Sequence, residues 1–284
     1  MHRANWNWIS AIAGSLVVTA LGAAKSASSL AGADGVQEAS TPNQFIEVRT
    51  YTLQDAASIA SFDQYANDAL IPALNRLGIE PVGAFALAKV QPEAAKEKSD
   101  KAPAVKVMLV MPATSAEILA TAPLKIAQDA EYLKAGAEYL QTPADKPVVV
   151  RISSEVLRAF DSWPEAKTPK QKTAGQPRIY ELRTYESPTE RLGNLKVDMF
   201  NAGEVPIFLD CEIQPVFMGQ AVFGNAMPNL TYMTVYDDAD TMAAGWKRFA
   251  DHAEWKKLRE VKKYAGTVSK IQKSNWEARP YSQL

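Results

Sequence analysis

The chain repeats itself at a spacing of 134 residues, and this duplication constrains its fold more than any other feature of the sequence. Nine of the 38 positions from 45 to 82 carry the same residue 134 positions further on, whereas ordinary composition gives about two or three such matches. The matching residues include a Glu-x-Arg-Thr-Tyr motif and a Pro-Val pair, and they are Glu47/Glu181, Arg49/Arg183, Thr50/Thr184, Tyr51/Tyr185, Asn67/Asn201, Pro72/Pro206, Ile79/Ile213, Pro81/Pro215 and Val82/Val216. The sequence therefore predicts two copies of one module, at 45–160 and 178–284, joined by an exposed linker at 161–177 that is rich in Lys, Pro and Thr.

Hydrophobic periodicity gives each copy the element order β-α-β-β-α-β. The elements of the first copy are a strand at 45–53, a helix at 58–77 that Pro72 kinks or restarts, strands at 82–90 and 105–111, a helix at 113–140 interrupted at Pro123, and a strand at 148–157. The second copy repeats this order with strands near Ile179, Val216, Tyr232 and Val268. This is the ferredoxin-like α+β plan, in which helices cover one face of an antiparallel sheet. Because the other face needs a partner, we expect the two sheets to pack face to face as a barrel-like pair.

The first strand of each copy separates apolar from polar residues by simple alternation. Ile46, Val48 and Thr50 share one side of the strand, and their counterparts are Tyr180, Leu182 and Thr184. The motif residues share the other side, and they are Glu47, Arg49 and Tyr51 with Glu181, Arg183 and Tyr185. We expect the apolar set to face the helices and the polar set to face the opposing sheet, where charges have to be paired.

The N-terminus has the layout of a signal peptide at 1–33. A polar start is followed by an apolar run from Trp8 to Ala24 and by small residues up to Ala33. The run is short for the roughly 20 apolar residues that span a bilayer, so an uncleaved anchor is the less favoured alternative. Cleavage after Ala31-x-Ala33 or after Gly22-x-Ala24 is compatible with the small residues there. These features predict a periplasmic or secreted protein with no stable membrane insertion after cleavage.

The composition excludes several classes of function. The formal net charge of -1 gives no surplus for binding nucleic acid. One Cys and two His cannot build a Cys/His zinc site or an internal disulfide, so metal chemistry would have to rest on carboxylates. The sequence contains no phosphate-binding Gly-rich loop, nucleophile elbow or paired-acid motif, and we expect no metal centre and no bound cofactor. Cys211 occupies a position that is Leu77 in the first copy and is predicted to be a buried small apolar residue.

The motifs as a set resemble the NIPSNAP family, in the tandem arrangement of exported bacterial members. The resemblance is carried by Glu-x-Arg-Thr-Tyr, by the segment from Gly78 to Phe85 and by the segment from Trp246 to Trp255. It implies ferredoxin-like modules of the dimeric α/β barrel superfamily, whose fold mates include cofactor-free oxygenases, isomerases and haem enzymes, while NIPSNAP members are mostly described as interaction or trafficking proteins. In the first copy Tyr132 replaces Trp255, and the motif from Trp246 to Phe249 has no counterpart. We therefore expect a functional site in the second copy rather than in the first.

The strand motifs are the best candidates for chemistry. Glu and Arg two residues apart on one strand face lie about 7 Å apart at Cα and can pair. The favoured interpretation is a structural ion pair at the sheet interface. The functional interpretation is that the Arg holds an anionic or enolate oxygen while Glu or Tyr moves a proton, within walls supplied by Phe85, Met108, Met218 and Met233.

Three functions from different classes remain open. The favoured one is a binding module that takes a protein partner or a small apolar ligand between its two sheets, with homo-oligomerisation left open. The alternative is a cofactor-free oxygenase or isomerase acting on an enolisable or aromatic molecule, which an open pocket between the sheets would favour and a filled interior would disfavour. The third is haem binding through His252, although we expect that residue to be solvated on a helix face. Trp246, Phe249 and Trp255 are predicted to form the core face of the last helix.

Overall fold

The computed structural model describes residues 42–89, 91–92 and 105–284. The predicted signal peptide and most of the charged insertion at 91–104 lie outside the described residues. Eight strands form one closed antiparallel barrel in the order β1-β3-β2-β8-β5-β7-β6-β4. Their bounds are β1 Phe45–Leu53, β2 Gly83–Leu87, β3 Lys106–Ala113, β4 Val149–Ala159, β5 Ile179–Glu186, β6 Gln214–Phe223, β7 Asn229–Tyr236 and β8 Lys270–Ala278. The predicted mixed α/β fold with two ferredoxin-like modules closing a barrel is confirmed.

The two modules meet along two short strand seams. At one seam β2 pairs with β8, with Leu87 opposite Trp276. At the other, β4 pairs with β6, with Ala159 opposite Gly219. Each sheet thereby loses both of its open edges over the paired residues, which is how barrel closure removes the edge-strand problem.

Helices cover the outer face of the barrel. Those of the first module are α1 Ser58–Tyr65, α2 Ile71–Arg76, α3 Ala116–Ile126, α4 Ala130–Ala135 and α5 Ala137–Leu140, and α6 Lys170–Thr173 follows in the connection between modules. Those of the second are α7 Glu190–Met199, α8 Val205–Asp210, α9 Ala239–Asp251 and α10 Ala253–Arg259. One π-helical turn precedes α2 and another precedes α8, at Ala66–Leu70 and Phe200–Glu204. Within the described ranges, no helix is both long and apolar enough to cross a bilayer.

Proline acts in the first helix as predicted but not in the second. Pro72 stands in the first turn of α2, so the helix restarts there after the π-helical turn. Pro123 lies inside α3, and the interruption predicted at this residue is wrong. The break falls instead before Ala130, because the side chain of Asp129 accepts a hydrogen bond from the backbone N–H of Tyr132 and starts α4.

The barrel interior is filled by side chains from both modules. Large apolar residues occupy one end and the centre, and almost all of them are fully buried: Ile46, Phe85, Met108, Leu157, Tyr180, Phe217, Met233 and Trp276. At the opposite end the interior becomes polar, where Glu155 accepts hydrogen bonds from Asn229 and Thr231 of the second module. The sheets are thus joined across the interior as well as along the seams.

The orientation predicted for the first strands is wrong in both modules. Ile46 and Val48 line the barrel interior, in one cluster with Tyr180. Tyr51 packs under the helices instead, with its ring centroid 4.7 Å from that of Phe62. Alternation shows which residues share a face but not which face is inside. The apolar end of the barrel interior takes the apolar set, because a charge at that end has no route to water.

The segment between the modules is also less exposed than predicted. Trp163 and Gln171 are buried, and the backbone of Phe160 and Trp163 forms an isolated bridge. Four residues of the segment form α6. Because Lys and Thr dominate the composition of this segment, its few packed residues could not be recognised from the sequence.

Candidate functional site

β5 presents the Glu-x-Arg-Thr-Tyr motif to the helical layer of the second module. Arg183 Nη2 lies 2.9 Å from Glu181 Oε1, and both side chains are more than nine-tenths buried. Trp246 of α9 donates its indole N–H to Glu181 Oε2 at 2.7 Å. The guanidinium carbon of Arg183 lies 3.4 Å from the centroid of the same indole ring, a cation–π contact. Both carboxylate oxygens of Glu181 are therefore engaged.

The first module repeats the ion pair without the tryptophan. Arg49 donates from Nε and Nη2 to the two oxygens of Glu47, at 2.7 and 3.0 Å. Ser154 of β4 donates its hydroxyl to Glu47 Oε1 at 2.5 Å. Arg49 is more exposed than Arg183, at 14% against 9% of the side chain. The predicted pairing of Glu and Arg is present in both modules, but at the interface between sheet and helices.

A cation replaces Ser154 at the corresponding position of the second module. Ser154 lies opposite Arg49 in the β1–β4 register, whereas Lys273 lies opposite Arg183 in the β5–β8 register. Lys273 is half-buried, and its pKa is lowered by burial and by the charge of Arg183. Two cations thus share one strand face beside a single carboxylate.

A second polar cluster lies next to the motif. Tyr185 and Tyr232 share a hydrogen bond of 2.8 Å between their hydroxyl groups. Lys196 of α7 lies 2.6 Å from Glu204 Oε2, and both side chains are at most 5% exposed. Burial raises the pKa of Glu204, although the charge of Lys196 opposes this shift. Burial also raises the pKa of Tyr185, so the hydroxyl pair stays protonated at neutral pH.

Sequence reasoning missed Lys196, Glu204 and Lys273 and treated Trp246 only as a core residue. The 134-residue repeat holds the signal for the first two, because Lys196 and Glu204 correspond to Phe62 and Leu70. When a charged residue in one copy occupies a position that is buried and apolar in the other copy, it indicates either a buried ion pair or a functional site. Phe249 is buried as predicted, with Trp246 and Trp255 packed beside it.

The walls predicted for the site do not enclose it. Phe85, Met108 and Met233 line the barrel interior, on the opposite face of the sheet from Arg183. Met218 alone belongs to the helix-side cluster. Cys211 is a free, buried cysteine, as expected from its Leu counterpart.

His252 lies between α9 and α10, outside the barrel. Its side chain is 24% exposed, and Nε2 lies 3.8 Å from Asp210 Oδ2. In the part of the chain that the structure describes, no three His, Cys, Asp or Glu residues are grouped as a metal site would require. Haem binding through His252 stays a prediction, which the absorbance spectrum of the purified protein tests.

Fold and site together define a protein of the dimeric α/β barrel type that carries both halves of its barrel in one chain. Residues 180–283 match the NIPSNAP family, so the resemblance seen in the sequence is confirmed over the second module. No curated protein matches the chain.

Solved structures share the fold at low sequence identity. A candidate monooxygenase from Lactobacillus acidophilus is 8% identical with a TM-score of 0.52, over 83% of this chain and 94% of that chain. A candidate monooxygenase from Fusobacterium nucleatum is 9% identical with a TM-score of 0.50, over 84% and 93% of the two chains. An uncharacterised NIPSNAP-like domain protein from Burkholderia xenovorans is 14% identical with a TM-score of 0.34, over 37% and 88%. At these identities the first two likenesses show the fold alone.

Proposed function

We propose that this is an exported NIPSNAP-domain binding protein whose second module binds a small organic anion between Arg183 and Lys273. The observation that carries the proposal is the pairing of these two cations directly across β5 and β8. Residues opposite each other on one sheet face have Cβ atoms about 4.5–5.5 Å apart, and like charges at that distance destabilise the sheet. An anion placed between them would remove the repulsion.

Arg183 and Lys273 both interact with the charge of Glu181, which of these two cations directly contacts Arg183 alone. Glu181 is the carboxylate that contacts Arg183, and its second oxygen is taken by Trp246. Among the described residues, Lys273 has neither a hydrogen bond nor an ion pair. Arg183 Nε is buried and likewise unpartnered. A carboxylate or phosphate group bound here would accept from both cations, and Trp246 would offer an apolar edge to the rest of the ligand.

The filled barrel supports a binding role over catalysis between the sheets. Phe85, Phe217 and Tyr180 occupy the space in which an enolisable substrate would have to be enclosed. A protein partner or an apolar ligand between the sheets remains a prediction.

Matched variants of the two modules test the proposal. Lys273→Ser gives the second module the residue of the first, and Ser154→Lys makes the reverse change. Titration calorimetry with benzoate, succinate and phosphate should detect binding of at least one anion to the protein. Lys273→Ser should weaken that binding at least tenfold, while circular dichroism shows the fold unchanged. Binding that survives Lys273→Ser undiminished would refute the proposed site.

The alternative, a cofactor-free oxygenase or isomerase, has one observation in its favour. The buried carboxyl of Glu204, whose pKa burial raises, lies near the Tyr185–Tyr232 hydroxyl pair and could exchange a proton with it. Tautomerisation of phenylpyruvate, followed by absorbance with wild type and Glu204→Gln, tests this function. Turnover by wild type that is lost in the variant would favour the enzyme.

A further inference from the structure

A cleft of about 480 Å³ lies outside the barrel, between the segment that joins the modules and the connection from β7 to α9. Its volume is within the range of small-molecule sites. Lys170 and Gln171 of α6 line the cleft, together with Asp237 and Asp238, the two acidic residues before α9. Ala174, Gln176 and Pro177 complete the wall. None of these residues belongs to the Arg183 site, so the cleft is independent of the function proposed above.

Gln171 supplies an unpaired acceptor at this cleft. The residue is 6% exposed, and its Nε2 donates to Asp237 Oδ1 at 2.8 Å. The carboxylate acceptor fixes which end of the amide is nitrogen, so the remaining atom is the oxygen. That oxygen, Oε1, is buried and has no hydrogen-bond partner. A buried carbonyl left unpaired is destabilising, and a donor from a ligand would relieve that cost.

Asp237 extends the same acceptor surface. Its Oδ1 accepts from Gln171, and no hydrogen bond to the second carboxylate oxygen occurs among the described residues. Asp238 is occupied differently, because it caps α9 and accepts from the backbone N–H of Thr241 at 2.8 Å. The cleft is therefore lined by a carboxylate with one free oxygen and by an amide whose buried oxygen lacks a partner, while Lys170 is its one basic lining residue.

We propose that this cleft binds a small molecule through a primary ammonium or guanidinium group. Such a group has several N–H donors and a positive charge, which match the amide oxygen of Gln171 and the carboxylate of Asp237. A neutral polyol could satisfy the amide oxygen but would gain less from the carboxylate. The cleft thus selects for a cationic donor.

Agmatine, which carries both groups, is the probe, and glycerol is the neutral comparison. Calorimetry and the NMR signal of the Gln171 side-chain amide should show agmatine binding to the full chain at a concentration at which glycerol has no effect. Asp237→Asn should weaken agmatine binding at least tenfold. The exposed Asp240, in the first turn of α9, provides the control, because Asp240→Asn changes the net charge equally and should leave the affinity within twofold.

Gln171→Glu separates a binding role from a structural one. The change keeps the shape but replaces the N–H that Asp237 accepts by a second carboxylate oxygen, which a bound cation would bridge to Asp237. Agmatine should therefore bind at least threefold more tightly even if the protein loses stability. Equal effects of Asp237→Asn and Asp240→Asn, glycerol binding as well as agmatine, or no agmatine binding at millimolar concentration would each overturn the proposal. Because the Lys273→Ser variant leaves this cleft intact, its anion titration reports separately on the Arg183 site.

Discussion

The ammonium group of Lys196 lies 2.6 Å from Glu204 Oε2 inside the second module, where the first module has Phe62 and Leu70 at the corresponding positions. Both charged side chains are almost completely buried. Lys196 also lies 4.7 Å from the Phe200 ring centroid, so an aromatic face contributes to holding the cation. The duplicated fold therefore accommodates either an apolar pair or an ion pair at the same place.

The first prediction follows from that exchange. Lys196→Met should destabilise the protein by about 3–5 kcal/mol, because it leaves the carboxylate of Glu204 buried without a partner. The double variant Lys196→Phe/Glu204→Leu restores the residues of the first module and should cost less than the single change. Urea denaturation of both variants measures the difference. If the double variant is less stable than Lys196→Met, the Lys196–Glu204 ion pair contributes more to the stability of the fold than its burial costs.

The ion pair on β5 leads to the second prediction. Arg183→Met should cost on the order of 3 kcal/mol, because Glu181 keeps only Trp246 as a partner. Glu181→Leu/Arg183→Met should cost less, since it leaves no unpaired charge and the half-buried Trp246 can reach water. Arg49→Met is the matched change in the first module and should cost less than Arg183→Met, as Arg49 is more exposed. Thermal denaturation checks all three, and a double variant no more stable than Arg183→Met would contradict the ion-pair account.

The third prediction concerns pH and the contact between modules at Glu155. Burial raises the pKa of Glu155, although hydrogen bonds from Asn229 and Thr231 oppose the shift. A carboxyl with a raised pKa in the folded state contributes stability below its unfolded pKa of about 4.3, and this contribution is lost as the pH rises through the folded value. Glu155→Gln stays neutral and can keep both contacts, because its oxygen accepts from Asn229 and its N–H donates to the Thr231 hydroxyl. Its stability relative to wild type should therefore increase between pH 4 and pH 7.

Urea midpoints at pH 4, 5.5 and 7 measure this trend. The exposed Glu277 of β8 provides the control, because Glu277→Gln makes the same chemical change at a site that is not buried. If the urea midpoints of the two variants change in the same way with pH, the trend does not come from Glu155.

The fourth prediction is export with cleavage. The apolar run from Trp8 to Ala24 is short for a membrane anchor, and the small residues after it suit signal peptidase. Mass spectrometry of the protein from its own cell should find a mature N-terminus following Ala33 or Ala24. Recovery of the chain with Met1 to Ala24 intact would disprove cleavage.

Much of the candidate site could be predicted from the repeat. Glu181, Arg183 and Tyr185 were identifiable because the same three residues occur on the first strand of both modules. Their partners were not identifiable in this way. Trp246 and Lys273 lie 65 and 90 positions from Glu181 and Arg183, respectively, and only strand pairing and helix packing bring them together.

The sequence by itself determined the duplication, the order of strands and helices and the need of each sheet for a partner, because periodicity and repetition are local properties of the chain. Only the tertiary structure decided which side of each strand is inside. The alternation of Val48 with Glu47 is the same whichever face is buried, and barrel closure sends the apolar side inward. The polar side then lies under the helices, where Trp246 and Ser154 provide the hydrogen bonds that a closed apolar interior lacks.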